Sequence, residues 1–149
     1  MIKVRLAGPA DVPLLTQFNR QMAMETEQKE LDAGTVTAGV QSLIAQPAYG
    51  FYVIAERDGE AAGCLMITYE WTDWRNGVFW WIQSVYVTEA HRRQGVFRHL
   101  HEEVRRHAKA AKNVRGFRLY VEHHNAAAQA TYRDLGFVNT GYLMLEGPL

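Results

Sequence analysis

Arginines flank a glycine in a short segment that follows a strand-like stretch of the chain. Arg92 and Arg93 precede Gly95, and Arg98 comes after it. A helix N-terminus carries unpaired N–H groups and a partial positive charge, and a glycine lets the backbone approach an anion closely. If a helix begins here, the segment predicts a phosphate or pyrophosphate site. The alternative is a strand-to-helix turn that needs glycine for its geometry and carries exposed arginines.

The residues on either side of this basic segment predict a strand and a helix. Residues 80–87 are mostly aromatic and β-branched, and both alternating faces are largely apolar, which is typical of a central strand. Apolar residues then recur at helical spacing, at Phe97, Leu100, Val104, Ala108 and Ala111. The basic segment therefore lies between the end of a central strand and the start of a long helix.

Composition narrows the class of protein. The chain has 149 residues, and its 16 basic residues balance 16 acidic ones. A neutral chain has no general attraction to nucleic acid, and no apolar run is long enough to cross a membrane. The N-terminus lacks the apolar core of a signal peptide, and Cys64 is the only cysteine, so no internal disulfide can form. We expect a single cytoplasmic domain over residues 1–149, with no nucleic-acid or membrane partner.

The order of predicted elements is β α α β β β α β α β β, which indicates an α/β fold. A βαβ unit after a meander implies a mixed central sheet of about six to seven strands with helices on both faces. Asp58-Gly59 predicts the turn of one hairpin. Residues 116–122 predict a strand after the long helix. Residues 137–138 and 142–145 predict a final hairpin around Asn139-Thr140-Gly141.

Two motifs resemble those of the GNAT N-acyltransferase superfamily. The segment Arg92-Arg93-Gln94-Gly95-Val96-Phe97 is similar to the Q/R-x-x-G-x-G/A loop that grips the pyrophosphate of acetyl-CoA in that family. Arg92 matches its first position and Gly95 its fourth, whereas Phe97 stands where the family has Gly or Ala. Residues 125–137 resemble the family's N-x-x-A…Y-x-x-x-G-F segment. With the matching element order, the chain is identified as a member of this superfamily.

The resemblance implies that acetyl-CoA is the co-substrate and that no metal takes part. The central strand and the strand after the long helix would splay apart to admit the pantetheine arm, with which the backbone of residues 84–87 would pair. Amides of residues 94–98 would hold the pyrophosphate, and Asn125 would contact the arm or the strand beside it. The implied cofactor-binding residues are Ser84, Val85, Tyr86, Val87, Arg92, Arg93, Gln94, Gly95, Val96, Phe97, Arg98, Asn125, Ala128 and Tyr132.

The same resemblance suggests one catalytic group. Tyr132 matches the family tyrosine that lies near the sulfur, so it is the candidate general acid for the departing thiolate. The alternative is a core tyrosine with a paired hydroxyl. Family members often carry a glutamate on the central strand, where this chain has Gln83, which takes no proton at neutral pH. The general base stays open among Glu25, Glu27, Glu70, Glu122, His123 and His124.

The acceptor pocket should form from the first two helices and the loop before the central strand. Residues 24–32 carry an excess of acids, which indicates either a solvated helix end or an acidic wall for a cationic substrate. Residues 70–77 form a polar loop with two tryptophans that either pack back or bind a ligand. Carboxylates with aromatics favour a small cationic amine, although Arg75 would favour a substrate carboxylate. The candidate acceptor-binding residues are Glu25, Glu27, Trp71, Asp73, Trp74, Arg75, Trp81 and Gln83.

Other functions compete with acetyl transfer. His99, Glu103 and His107 share a face of the long helix at a spacing that could bind a metal, or that fits a solvated helix face equally well. A non-catalytic CoA-binding sensor would keep the same basic loop without turnover. A partner-binding module would use the loop from Trp71 to Arg75. The family also suggests a homodimer.

Overall fold

A mixed five-stranded sheet forms the centre of the first part of the chain. The computed structural model describes all 149 residues, which fold as two compact units, Met1–Leu119 and Tyr120–Leu149. The strands are β1 Ile2–Leu6, β2 Gly50–Arg57, β3 Glu60–Thr72, β4 Gly77–Val87 and β5 Val114–Arg118. The helices are α1 Val12–Glu27, α2 Ala33–Ala45, α3 Val96–Ala111 and, in the second unit, α4 Ala126–Asp134.

The strands lie in the order β1-β2-β3-β4-β5 across the sheet. The first four pair antiparallel, and β5 is parallel to β4 because α3 crosses between them. The turn at Asp58-Gly59 joins β2 to β3, and both residues have positive φ (51° and 83°), as a tight hairpin turn requires. The predicted α/β class, the mixed sheet and this hairpin are therefore confirmed.

Helices cover both faces of the sheet, as predicted. On one face, α1 and α2 form a core with β2, in which Leu15, Phe18 and Val40 pack with Tyr52 and Ile54. On the other face, α3 contacts all five strands and buries Val96, Leu100 and Val104, among other side chains. Phe51 and Tyr52 are neighbours in β2, so their side chains project from opposite faces of the sheet. The Phe51 ring centroid accordingly lies 5.9 Å from the His107 ring of α3. None of the helices combines the length and apolar character that a membrane-spanning helix requires.

The strand count of six to seven was wrong, because the final hairpin does not form. Residues 137–149 contain no strand, and Tyr142, Leu143 and Leu145 are exposed. The turn residues satisfy the local backbone with their own side chains. Asn139 Oδ1 accepts from the Gly141 N–H at 2.8 Å, and Thr140 Oγ1 accepts from the Tyr142 N–H at 3.1 Å. Such local bonds compete with the ladder that a hairpin needs.

Three strands have boundaries that differ from the prediction, and β4 begins at Gly77 rather than at Trp80. β3 continues to Thr72, so Glu70 and Trp71 belong to a strand and not to the loop. β5 begins at Val114 and ends at Arg118, earlier than the predicted segment 116–122. The longer β3 matters for the site, because it places Glu70 in the sheet, with only β4 between its strand and β5, which carries Arg118.

Candidate active site

A β-bulge interrupts β4 near its end. Cys64 of β3 pairs with Tyr86, but Met66 pairs with Gln83, so one extra residue of β4 lies opposite Leu65. Ser84 has a φ of 49°, in the left-handed region that a residue with a Cβ enters at a cost of about 1–2 kcal/mol. Bulges re-aim the backbone, and strained residues of this kind cluster at functional sites.

Beyond the middle of β4 one backbone edge has no neighbouring strand. β5 pairs only with residues 78–81 of β4, through Val114, Gly116, Phe117 and Arg118. Residues 82–87 therefore have no strand partner on that side of the sheet. We call this segment the open edge of β4. Its backbone N–H and C=O groups can pair with an extended ligand in the way that an added strand does.

The N-terminus of α3 lies a few residues beyond the open edge. Gly95 is the N-cap with a φ of 80°, and no side chain caps the helix. The first intrahelical bond joins the His99 N–H to the Gly95 carbonyl at 3.1 Å, so the N–H groups of Val96 and Arg98 have no acceptor within the helix. A Cβ at Gly95 would meet nothing nearer than the His99 ring at 3.8 Å, so this side of the turn is open. The arrangement suits an anion.

Phe97, the departure from the family pattern, is directed into the core. Its side chain is only 9% exposed, and its ring stacks on His101 with centroids 6.0 Å apart and planes 20° apart. Because the aromatic ring is buried, the Phe97 side chain does not occupy the space in front of the helix N-terminus. The substitution for Gly or Ala is thus accommodated within the first unit.

Arg92 is bound by the neighbouring protein groups. Its Nη2 lies 2.5 Å from Glu25 Oε2, and its Nε donates to the Val87 carbonyl at 3.1 Å. The Tyr86 hydroxyl donates to Glu25 Oε1 at 2.9 Å. Burial and the hydrogen bond to the Glu25 carboxylate raise the pKa of Tyr86, so its phenol stays a donor. The structure thus brings Glu25, predicted for the acceptor, together with three residues predicted for the cofactor.

The side chain of Gln94 is held inside the basic loop. Its Nε2 donates to the Ala90 carbonyl at 3.0 Å, and its Oε1 accepts a hydrogen bond from Arg57. The long side chains of Arg93 and Arg98 are exposed at this turn, where Arg93 itself has a φ of 62°. Arg92 pairs with Glu25, whereas the guanidinium groups of Arg93 and Arg98 form no ion pair with a protein carboxylate.

A polar cluster lies on the sheet face that α1 and α2 share. The Trp81 indole donates to Glu70 Oε1 at 2.7 Å, and Arg118 Nη1 donates to Glu70 Oε2 at 2.9 Å. Gln83 Nε2 donates to Thr68 Oγ1 at 2.5 Å. Both predicted acceptor residues of β4 are therefore present in one cluster. The sequence analysis did not single out Arg118. The signal was its alternation with the apolar Phe117 and Leu119 in the predicted strand 116–122, which indicates a polar face.

Trp71 and Trp74 are not part of this cluster. Trp71 is 61% exposed and Trp74 is 90% exposed. Trp71 follows Glu70 in β3, so its side chain projects from the opposite face of the sheet. Asp73, Trp74 and Arg75 lie in the β3–β4 turn, where the Arg75 guanidinium sits 5.1 Å from the Phe79 ring centroid. Neither tryptophan packs back into the core.

The acidic segment after α1 is largely solvated. Glu27 and Glu30 are exposed, and α1 ends at Glu27 because Gln28 takes a left-handed φ of 50°. Asp32 serves α2 as its N-cap, accepting from the Thr35 N–H at 2.9 Å. Glu25 is therefore the one acid of this segment that the structure ties to the end of β4.

The second unit places its motif residues around α4. Asn125 is the N-cap, and its Oδ1 accepts from the Ala128 N–H at 3.1 Å. The Tyr132 ring lies 5.9 Å from the Phe137 ring, and the Tyr132 carbonyl accepts from the Phe137 N–H at 3.0 Å. Gly136, with a φ of 93°, permits that reversal of the chain. Burial raises the pKa of Tyr132, so the phenol is protonated at neutral pH.

The histidines of α3 have protein partners. His107 Nε2 lies 3.2 Å from Glu103 Oε1, which also pairs with Arg106. His99 Nδ1 lies 2.8 Å from the Gly95 carbonyl. No group of three or more His, Cys, Asp or Glu side chains in the structure could hold a metal ion.

Comparisons with known proteins agree with this architecture. The model of the acetyltransferase (GNAT) family matches residues 16–137. A possible acetyltransferase from Clostridium difficile 630 is 40% identical and superposes with a TM-score of 0.91, covering 100% of this chain and 98% of the other. A predicted acetyltransferase from Clostridium acetobutylicum, solved with acetyl-CoA, is 19% identical with a TM-score of 0.80, over 98% of this chain and 96% of that one.

An aminoglycoside acetyltransferase from an uncultured soil metagenomic sample shares the fold at 19% identity, with a TM-score of 0.75 over 100% and 99% of the two chains. No curated protein gave a significant match. The family model covers more than half of the chain and includes the basic loop, the bulge and the α4 motif. The chain therefore belongs to the acetyltransferase (GNAT) family.

Proposed function

We propose that the protein transfers the acetyl group of acetyl-CoA to the amine of a small cationic acceptor, by direct attack within a ternary complex. The observation that carries this proposal is the uncapped N-terminus of α3 at Gly95, which follows the open edge of β4. A pyrophosphate needs the first feature and a pantetheine arm needs the second. Family membership supplies the reaction class.

The residues present fit acetyl-CoA. The N–H groups of Val96 and Arg98 and the exposed side chains of Arg93 and Arg98 would hold the pyrophosphate. The open edge of β4 would pair with the pantetheine arm, and a backbone N–H at the bulge would hold the thioester oxygen, where negative charge develops. When bound, acetyl-CoA supplies an acetyl group activated as a thioester.

Tyr132 is the proposed general acid on the strength of its motif. A tyrosine whose pKa is raised by burial keeps its proton until a thiolate leaves. The acceptor amine, with an ordinary pKa of about 10.4, must lose a proton before it attacks. Glu70 is one candidate base, and hydrogen bonds from Trp81 and Arg118 fix the position of its carboxylate oxygens.

Glu25 supports a cationic acceptor. Its carboxylate accepts one hydrogen bond on each oxygen, from Tyr86 and from Arg92, which leaves lone pairs for a further donor. The side chain is 42% exposed. Glu27 and Glu30 add two negative charges close to Glu25 in the sequence, and Lys29 is the only basic residue among residues 24–32. An ammonium group is the chemistry that such a segment attracts.

We expect the double substitution Glu25→Gln with Glu27→Gln to raise the KM for a cationic amine by about fivefold, since each lost half-exposed charge pair is worth only about 0.2–1 kcal/mol. Steady-state kinetics with the best amine from a screen would measure the change. Glu60→Gln, at the start of β3 and exposed, is the matched control. An unchanged KM in the double variant would return residues 24–32 to the role of a solvated helix end.

Acetyl-CoA should raise the melting temperature of the protein. A ligand at about 100 times its Kd adds about 2.7 kcal/mol to the folded state, which for a domain of this size is about 5–10 °C. Differential scanning fluorimetry with acetyl-CoA, and with NAD at equal concentration as control, measures the shift. No shift at saturating acetyl-CoA would contradict the cofactor assignment.

Turnover then separates the enzyme from a CoA-binding sensor. With acetyl-CoA bound, a panel of polyamines, amino acids and aminoglycosides would be screened for release of the free CoA thiol. Release that depends on one class of amine supports the proposed reaction and identifies the acceptor class. A melting shift without release by any amine would instead indicate a sensor on the same fold.

A further inference from the structure

Buried polar side chains from three elements converge on the bulge of β4. Tyr52 comes from β2, Cys64 from β3 and Asn19 from α1, and all three are buried. Tyr52 and Cys64 lie on the sheet face that α1 and α2 cover, and the Cys64 thiol contacts Ser84. Burying a polar group in an apolar core costs free energy unless the group is hydrogen-bonded. The hydrogen-bond partners of these three side chains therefore show which part of the backbone they fix.

The first part of this network runs from α1 to Ser84. Asn19 Nδ2 donates to the Leu15 carbonyl at 2.9 Å and to the Tyr52 hydroxyl at 3.2 Å. The Ser84 side chain interacts with the same Tyr52 hydroxyl. The hydroxyl is therefore held between a helix and the strained residue of the bulge. Since Asn19 is itself fixed by the Leu15 carbonyl, the position of the hydroxyl is determined from the α1 side.

The second part is the thiol of Cys64. Its Sγ donates to the Ser84 carbonyl at 3.5 Å, and the backbone N–H of Tyr86 donates to the sulfur. The sulfur thus contacts the residues on both sides of Val85, where β3 and β4 lose register. The Cys64 sulfur therefore hydrogen-bonds to backbone groups of β4 at the point where the regular β3–β4 pairing is interrupted.

We propose that Tyr52, Asn19 and Cys64 are positioning residues that hold the bulge at Ser84, and through it the backbone groups that β4 presents at its open edge to the thioester. The inference rests on the proposed function, because it assigns these residues to binding of the thioester oxygen. A left-handed serine persists only when its surroundings over-determine it. Polar networks of this kind specify one geometry, whereas apolar packing alone would leave the strand free to relax.

The test is Tyr52→Phe, which removes one hydroxyl and keeps the ring. We expect kcat to fall about tenfold, since a displaced oxyanion donor loses part of its effect. A second readout compares the Kd of acetyl-CoA with that of S-ethyl-CoA, a thioether of similar size that lacks the carbonyl oxygen. Wild-type protein should prefer acetyl-CoA, and Tyr52→Phe should lose most of that preference.

Tyr69→Phe is the matched control for this substitution. Tyr69 lies on β3 and packs against Trp80, with ring centroids 5.8 Å apart, on the face opposite to Tyr52. The same loss of a hydroxyl there should leave kcat and the acetyl-CoA preference unchanged. An equal loss in both tyrosine variants would show a general packing effect and overturn the positioning role.

Cys64→Ala removes the second part of the network, and Cys64→Ser restores a donor at the same position. We expect the alanine variant to resemble Tyr52→Phe and the serine variant to recover part of the preference for acetyl-CoA. Unchanged kcat and preference in Tyr52→Phe and Cys64→Ala, in a protein that binds acetyl-CoA, would overturn this inference alone. Wild-type protein that binds neither ligand would instead overturn the proposed function.

Discussion

Replacing Gly95 with glutamate is expected to weaken acetyl-CoA binding on the order of 100-fold or more, because a carboxylate a few ångströms from a pyrophosphate repels it by several kcal/mol. The turn has room for the side chain, since a Cβ there meets only the His99 ring at 3.8 Å. The positive φ of 80° adds a modest strain, which leaves the sheet and its two cores intact. Calorimetric titration with acetyl-CoA measures the affinity, and far-UV circular dichroism checks the fold.

Gly95→Gln separates charge from strain and bulk at this position. Glutamine has the size of glutamate and the same penalty for a left-handed φ, but it carries no charge. We expect its affinity to lie between those of wild type and Gly95→Glu, nearer to wild type. If the glutamate variant binds acetyl-CoA as tightly as the wild type, the helix N-terminus is not the pyrophosphate site.

The second large effect is expected from Tyr132→Phe, which should lower kcat about 100-fold, the usual range for loss of a general acid. The Kd of acetyl-CoA should stay within about twofold, because a hydroxyl that acts on the leaving thiolate adds little to ground-state binding. Rapid-quench single turnover measures the chemical step, and equilibrium titration measures the affinity. Tyr142→Phe, an exposed tyrosine of the same unit, is the control and should match wild type.

The pH profile provides a further check on Tyr132. Because burial raises its pKa above the ordinary value of about 10, the phenol is protonated, and active as an acid, throughout the neutral and mildly alkaline range. Activity should therefore rise with pH as the amine acceptor loses its proton, with no falling limb from Tyr132 below pH 10. Equal kcat for tyrosine and phenylalanine at every pH would remove the acid role and favour a core tyrosine.

The strand, basic loop and long helix could be predicted from the sequence, because each depends on local patterns. Residues 80–87 are largely apolar on both faces, Gly95 has the φ that the turn needs, and the helical period of apolar residues begins at Phe97. The observed α3, Val96–Ala111, follows that period to its last apolar residue. The acetyltransferase family could be recognised because one of its motifs lies in the basic loop and the other lies in residues 125–137, each within a short continuous segment.

The contacts that complete the candidate site could not be predicted from the sequence. The bulge rests on a serine, which gives no sign that it will adopt a left-handed φ. Glu25 and Arg92 are 67 residues apart, and Glu70 and Arg118 are 48 apart, so their pairing depends on the register of the sheet and on where α1 ends. The apolar residues of the C-terminal segment suggested strands, but the side chains of Asn139 and Thr140 satisfy the local backbone instead.

The burial of Cys64 has a consequence for the chemistry around a thiol product. The side chain is 1% exposed, and burial raises its pKa to about 12, so at neutral pH it is neither a thiolate nor accessible to an oxidant. Reactive thiols form mixed disulfides with small thiols under oxidising stress. If the protein releases free CoA, as proposed, its single cysteine is buried in the core and cannot form a mixed disulfide with that product. We expect the native protein to remain free of CoA adducts under peroxide, by intact mass, and to accept them only after unfolding.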